Sequence, residues 1–330
     1  MLKSGKHDVL VMRFEFESLV QLAAFTFLGY MVVVNPQISE EFFATLSAWL
    51  LLLTVVGGGW PVSVPYGRPF KKLWVTGIVM TLLLLTASTA SYALFIVIGL
   101  QHLMTIWFWV CANWAFVLDA WPVRHHTPKT AIIVGSVASM LAALALDYLL
   151  TLFSVKSLLP LFMVTQLAVA AIFSPFFVFQ GYPFYRLWRQ PRIGFAILLL
   201  SIAAGLGVTA LPQNIHTLVT SLLSGVLLWS VLFSWSFAFP LTRQYGQPKR
   251  GLLTLPLVFV IAVAWSYSVS MVLPTPKSLW LSLYVVLPAF IIHNIFWFRI
   301  PFSPPLLLGM PPQQHKSLEK LFDWFSQIRD

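Results

Sequence analysis

Two ionisable side chains, Asp147 and His293, stand inside apolar runs of a 330-residue chain that is 59% hydrophobic and only 9% charged. Charge is costly to hold in hydrocarbon, so both are functional candidates by position. Asp147, in Leu146-Asp147-Tyr148, lies near the end of its run where it reaches water, which suits a vestibule better than a proton relay. His293, beside Asn294, lies about two turns from the end of the last run, where a lone histidine is expected to be satisfied by a neighbouring helix.

Other chemistries lack their residues. Haem ligation across helices needs histidines at matching depth, but His102 and His216 fall at helix ends and only His293 is within a span, which argues against a haem or quinone cytochrome. Metal clusters, paired carboxylates for prenyl transfer and nucleophile-with-base arrangements are not found at suitable spacing. Arg124-His125-His126 reads as a solvated basic loop, and Asp119 is expected to pair with Arg124 or Lys129. The single cysteine, Cys111, excludes an intrachain disulfide and sits in an apolar run. Neither an enzyme nor a cofactor is expected.

What remains is weak polarity. Ser88, Ser91, Ser136, Ser139 and Ser268 lie among small residues in apolar runs, where hydroxyls can replace part of an ion's hydration without binding it tightly. Phe25, Phe95 and Phe259 are bulky enough to narrow or gate such a path, and Pro256, three residues before Phe259, can kink its helix and turn that ring inward. Arg68, Lys72, Arg124, Lys129, Arg189, Arg192, Lys249 and Arg250 give a positive mouth at one end. These residues lead to the expectation of a channel or transporter for small anions or weak acids. The competing reading, from another class, is a noncatalytic membrane subunit or assembly factor with a packed interior that docks a partner protein. A continuous polar-lined path inside the helices separates the two. A lipid-handling enzyme would need catalytic residues clustered near one interface, and the sequence has no such cluster.

The elements that must hold these residues follow from the apolar runs. The mean hydropathy of +0.85 marks a polytopic membrane protein without an extramembrane domain. Ten runs are long enough to cross a bilayer, at roughly 18–35, 41–59, 73–98, 102–120, 130–153, 157–180, 193–212, 216–239, 251–273 and 279–299. A proline after an aromatic or apolar residue recurs at Trp60-Pro61, Trp121-Pro122, Tyr182-Pro183, Phe239-Pro240 and Ile300-Pro301, at intervals of 61, 61, 57 and 61 residues. The chain therefore reads as five tandem helical hairpins, about 18–61, 73–122, 130–183, 193–240 and 251–301. Residues 1–17 form an N-terminal segment before a retained first helix, 301–316 a Pro-rich linker, and 317–330 an amphipathic interfacial helix with Leu318, Leu321, Phe322, Phe325 and Ile328 at helical spacing.

Of 20 Lys and Arg residues, only Lys156 and Lys277 lie opposite the proline loops. The positive-inside rule then puts both termini and all four proline loops in the cytoplasm of a multi-pass cell-membrane protein. The net charge of +10 is read as this topology signal, with an anion-attracting surface as the alternative and no nucleic-acid partner expected. The lipid bilayer is the partner that composition implies.

Odd spans carry small and hydroxyl residues, as in Ala87-Ser88-Thr89-Ala90-Ser91 and Ser266-Tyr267-Ser268-Val269-Ser270, whereas even spans carry bulk, as in Trp107-Phe108-Trp109 and Phe296-Trp297-Phe298. Small residues allow close approach or line a cavity, and aromatics suit the headgroup belt. The expected architecture is an all-α membrane protein with odd helices in an inner ring and even helices outside. The alternative is that the small residues mark packing contacts with no pore between them.

Ten spans in five hairpins, with His126-Thr127-Pro128-Lys129-Thr130 before the fifth and Gln247-Pro248-Lys249-Arg250 before the ninth, resemble the tellurite-resistance and dicarboxylate transporter family that includes the plant slow anion channels. The resemblance is architectural, rests on short motifs and covers about residues 18–300. It implies a central pore in each protomer, occlusion by a phenylalanine for which Phe259 is the match, a small anionic solute and assembly as a homotrimer.

Overall fold

The computed structural model describes residues 4–35, 39–56, 73–118, 120–123, 126–152, 178–179, 192–233, Thr242, Tyr245 and 248–293 apart from 275–276 and 278–279. Every regular element among them is helical: α1 (Ser4–Val34), α2 (Glu40–Leu51), α3 (Leu73–Val97), α4 (Leu103–Ala112), α5 (Pro128–Leu152), α6 (Arg192–Thr209), α7 (Gln213–Val231), α8 (Lys249–Val272) and α9 (Leu287–Ile291). Three π-helical segments widen this set, π1 (Leu52–Val56), π2 (Asn113–Val117) and π3 (Leu281–Val286). Three stretches are long and apolar enough to cross a membrane, Gly77–Val97, Lys129–Leu152 and Lys249–Val272, with shorter apolar helices such as Leu19–Val34 and Leu103–Ala115 beside them. The chain is an all-helical membrane protein in its described residues. The 157–180 span, save residues 178 and 179, the 301–316 linker and the 317–330 helix lie outside them.

Local signals set the helix ends. Ser39 caps α2 by accepting from the Phe42 amide at 3.3 Å, ahead of Glu40 and Glu41 in the first turn, where carboxylates complement the helix dipole. α3 closes in a Schellman turn, with Leu100 N donating to Phe95 O at 2.9 Å and Gly99 N to Ile96 O at 3.1 Å. Gly99 takes φ +74° there, where a β-carbon is penalised. α5 starts on Pro128, whose missing N–H is no loss at a first helical position. α1 departs from expectation at its start: it begins at Ser4 and runs unbroken into the first span, because nothing between Lys6 and Val34 interrupts a helix.

The chain divides into two compact units, one of residues 1–35, 174–183 and 225–330, the other of 36–173 and 184–224. In the second unit α2 packs against both α3 and α4, and α4 against α5. Leu50, Leu52, Met104, Trp107, Trp109 and Cys111 make its centre. In the first unit α1 packs on π3 and α9. Gly29 seats that seam, since a β-carbon there would stand 2.7 Å from the Leu281 Cδ1.

Burial is unequal between the two kinds of span within each unit. The even spans are the packed elements: α2 and α4 in one, π3, α9 and the end of α7 in the other. The odd spans are mostly exposed, with 22% of the apolar windows of α3 and α5, and 28% of that of α8, buried. The physical reason is that lipid gives leucine or alanine no reason to hide, whereas a tryptophan N–H needs an acceptor that hydrocarbon does not offer. Three indoles, those of Trp49, Trp107 and Trp265, turn to hydroxyls on neighbouring helices, while Trp109 is buried without an acceptor for its N–H.

Candidate functional site

Three indole-to-hydroxyl hydrogen bonds join helices that follow one another in the chain. Trp49 Nε1 donates to Ser91 Oγ at 2.9 Å between α2 and α3, Trp107 Nε1 to Ser139 Oγ at 2.9 Å between α4 and α5, and Trp265 Nε1 to Ser282 Oγ at 3.0 Å between α8 and π3. Trp107 also meets Trp49 edge-on at 5.8 Å and Phe95 at 6.4 Å between ring centroids. Trp49, Phe95 and Trp107 thus form an aromatic cluster beside Ser91 and Ser139 in the second unit.

Of the five serines proposed to line a polar path, four lie in the second unit and Ser268 in the first. Ser91 and Ser139 are the indole acceptors just described, and the Ser139 hydroxyl itself donates to Ser136 O at 3.2 Å. Ser88 is fully buried and donates to Leu84 O of its own helix at 2.7 Å. Ser136 bonds Ile133 O at 3.0 Å. Ser268, in the other unit, is exposed.

Of the gate candidates, Phe95 lies in the second unit and Phe25 and Phe259 in the first. Phe95 is buried against Trp107. Phe25 is half-buried and meets Phe290 edge-on at 5.1 Å and His293 at 5.7 Å, so it belongs to the seam between α1 and the last span. α8 continues through Pro256, and Phe259 is 51% exposed on it.

Of the basic mouth, Arg68, Lys72, Arg124 and Arg189 lie outside the described residues, as does Asp119. Lys129 and Arg192 are exposed at the starts of α5 and α6. Lys249 and Arg250 are engaged locally: the Lys249 ammonium stands 4.3 Å from the centroid of the Tyr245 ring, and Arg250 Nε donates to Tyr245 O at 2.9 Å. Both are held at Tyr245, ahead of α8, and Thr254, one turn further, pairs with Thr242 at 2.8 Å.

Asp147 has a partner that the sequence reading did not assign. His102 Nε2 lies 3.1 Å and 3.2 Å from its two carboxylate oxygens, across the ends of α4 and α5. The signal was present: both residues had been placed at the same end of consecutive antiparallel spans. The reading also missed Gln21, one turn before Phe25 on α1. It is 1% exposed, and neither its amide oxygen nor its nitrogen has a hydrogen-bond partner. Among the described residues no three His, Cys, Asp or Glu side chains converge as metal ligands.

Comparison with protein-family models, with curated proteins and with solved structures gives no match.

Proposed function

We propose that this chain is a noncatalytic integral membrane subunit that acts by assembling with another helical membrane protein, not by conduction. The observation that carries the reading is the internal use of the hydroxyls: Ser91 and Ser139 accept indole N–H groups, and Ser88 turns back on its own helix, so the weak polarity of these spans is spent on packing. Their remaining faces expose small residues such as Thr89 and Ala90 on α3 and Ala138 on α5, a surface on which another helix can approach closely.

The scaffold itself is read as ten spans in five tandem hairpins, with both termini and the proline loops in the cytoplasm. Four of the π-helical stretches support the repeat, while π3, which begins at Leu281, stands outside that register. π1 begins nine residues before Pro61 and π2 nine before Pro122; similar widening starts at Leu232, eight before Pro240, and at Ile292, nine before Pro301. A one-residue insertion repeated at one register is what copies of a single unit produce.

The second reading, an anion conduit of the slow-anion-channel kind, is favoured by the exposed Ser268 and Ser270 and the half-exposed Phe259 on α8. Proteoliposomes under an imposed anion gradient separate the two. The assembly reading expects no flux above protein-free vesicles for the wild type or for Phe259→Ala, and a complex larger than the 37.2 kDa chain after mild solubilisation and cross-linking of native membranes. Flux that rises in Phe259→Ala would overturn it in favour of a gated conduit.

A further inference from the structure

Gln21 of α1 is buried to 1% exposure, and neither its amide oxygen nor its nitrogen has a hydrogen-bond partner. Gln21, Phe25 and Gly29 follow one another at four-residue spacing, which sets them along one face of the helix. Gly29 lies against Leu281 and Val285 of π3, and Phe25 meets Phe290 and His293. That face is therefore turned to the last span, which runs antiparallel to α1. Gln21, one turn before Phe25, stands toward the His293 end of it, where the span widens from Ile292.

The chemistry of the amide narrows what can satisfy it. It carries two N–H donors and a carbonyl acceptor, so its ligand must both accept and donate. An ion does not suit the place: Phe25, Gly29 and Phe290 bring no charge to balance one, and an unbalanced buried charge costs far more than a bare amide. Size removes the larger candidates, because a side chain 1% exposed has no opening for a lipid head, a helix or an organic solute. Water is small enough, has donors and acceptors, and is what folded proteins place on buried polar groups that the chain leaves unbonded. Its entry is short as well. Gln21 lies two residues into the apolar stretch Leu19–Val34, about 3 Å along the axis.

We propose that Gln21 binds one or two water molecules inside the first unit, between α1 and the last span, with the His293 imidazole as a further polar group at that end. Such water ties the two helices together through the amide. The site does not depend on the assembly reading: a scaffold and a conduit would both carry it.

The test is X-ray radiolytic footprinting of the full-length protein in detergent micelles, in which hydroxyl radicals formed from bound water oxidise the side chains beside it and mass spectrometry maps them. Phe25 and His293 are expected to be oxidised faster than Phe259, although Phe259 is the more exposed phenylalanine at 51%. Gln21→Leu, close in size and without the amide, should bring both down to the Phe259 rate. Rates at Phe25 and His293 that match Phe259 in the wild type, or that persist in Gln21→Leu, would overturn the proposal. So would a rise of more than about fivefold in the folding equilibrium constant of Gln21→Leu, the gain expected when a dry, unbonded amide is removed. The wild-type comparison decides the matter even if Gln21→Leu does not fold.

Discussion

Ser139→Ala is expected to destabilise the protein more than the loss of one hydroxyl implies. Trp107 is 1% exposed, and its N–H points at Ser139 Oγ from 2.9 Å. Alanine at 139 leaves that N–H buried without an acceptor, which costs about 1–3 kcal/mol in general, while interhelical bonds inside membranes average nearer about 0.6 kcal/mol with a maximum near 1.7. The two ranges overlap at about 1–2 kcal/mol. Trp107→Phe removes the donor instead, so Ser139 keeps its bond to Ser136 O and the cost is mainly lost contact with Trp49 and Phe95. In the double variant no group is orphaned, so the two effects should fall short of additivity by about 1 kcal/mol. Ser88→Ala is the control: its hydroxyl bonds only Leu84 O in the same helix, and the change should stay within about 0.5 kcal/mol. Equilibrium unfolding in mixed micelles, followed by circular dichroism, reads all four proteins. A coupling below about 0.3 kcal/mol, or equal effects of Ser139→Ala and Ser88→Ala, would refute the claim that these serines serve packing.

Gly225→Ala should lower the melting temperature. A β-carbon there would sit 2.6 Å from Ser266 Oγ and 3.0 Å from Ala262 O, and the resulting strain of about 1–3 kcal/mol exceeds the roughly 1 kcal/mol that alanine gains in helix propensity. An unchanged melting temperature would mean that α7 and α8 do not cross this closely. Glu40→Gln probes the start of α2, where burial first and then the neighbouring Glu41 raise the Glu40 pKa above 4.5. The folded state thus binds the proton more tightly than the unfolded one, so stability falls as pH rises from the unfolded value through the raised folded value. The glutamine variant should be the more stable protein at pH about 7, with that advantage gone well below pH about 4. An advantage that persists in acid would point away from the carboxylate.

Much of the fold could be read from composition, because a bilayer allows few solutions. Apolar runs of sufficient length must be helical, and α3, α5 and α8 lie where hydropathy puts them. The turns were legible too: Gly99 and Gln101 fall between α3 and α4, and Pro128 opens α5. The extension of α1 back to Ser4 was not, since charge near Glu15 and Glu17 marks a membrane boundary but does not stop a helix. Of the candidate site, the depths of Asp147 and His102 could be read and their pairing could not, because depth along an axis says nothing about rotation around it.

Rotation also decides which side chains are buried within each unit. A pattern of small residues on one helix and aromatics on the next was read as a sorting by polarity, with weakly polar faces inward. In water that logic holds, because apolar surface gains by leaving the solvent. In lipid the gain vanishes for aliphatic and small side chains, and what remains is the cost of each unmet polar atom together with the dispersion gained by close packing. Tryptophan carries the largest stake in both terms: an N–H that needs an acceptor and a ring with the most contact area. Trp49 and Trp107 both reach a serine on the helix that follows, and both end up buried or nearly so. The serine is then the receptor for the ring and not the lining of a pore. Where a tryptophan is held in this way, as Trp107 is by Ser139, moving the serine by one residue along α5 should cost as much as deleting it. A variant that restores stability by placing the hydroxyl at 140 instead of 139, in a Ser139→Ala, Met140→Ser protein, would break that rule, since residue 140 projects about 100° around the helix from Trp107's partner.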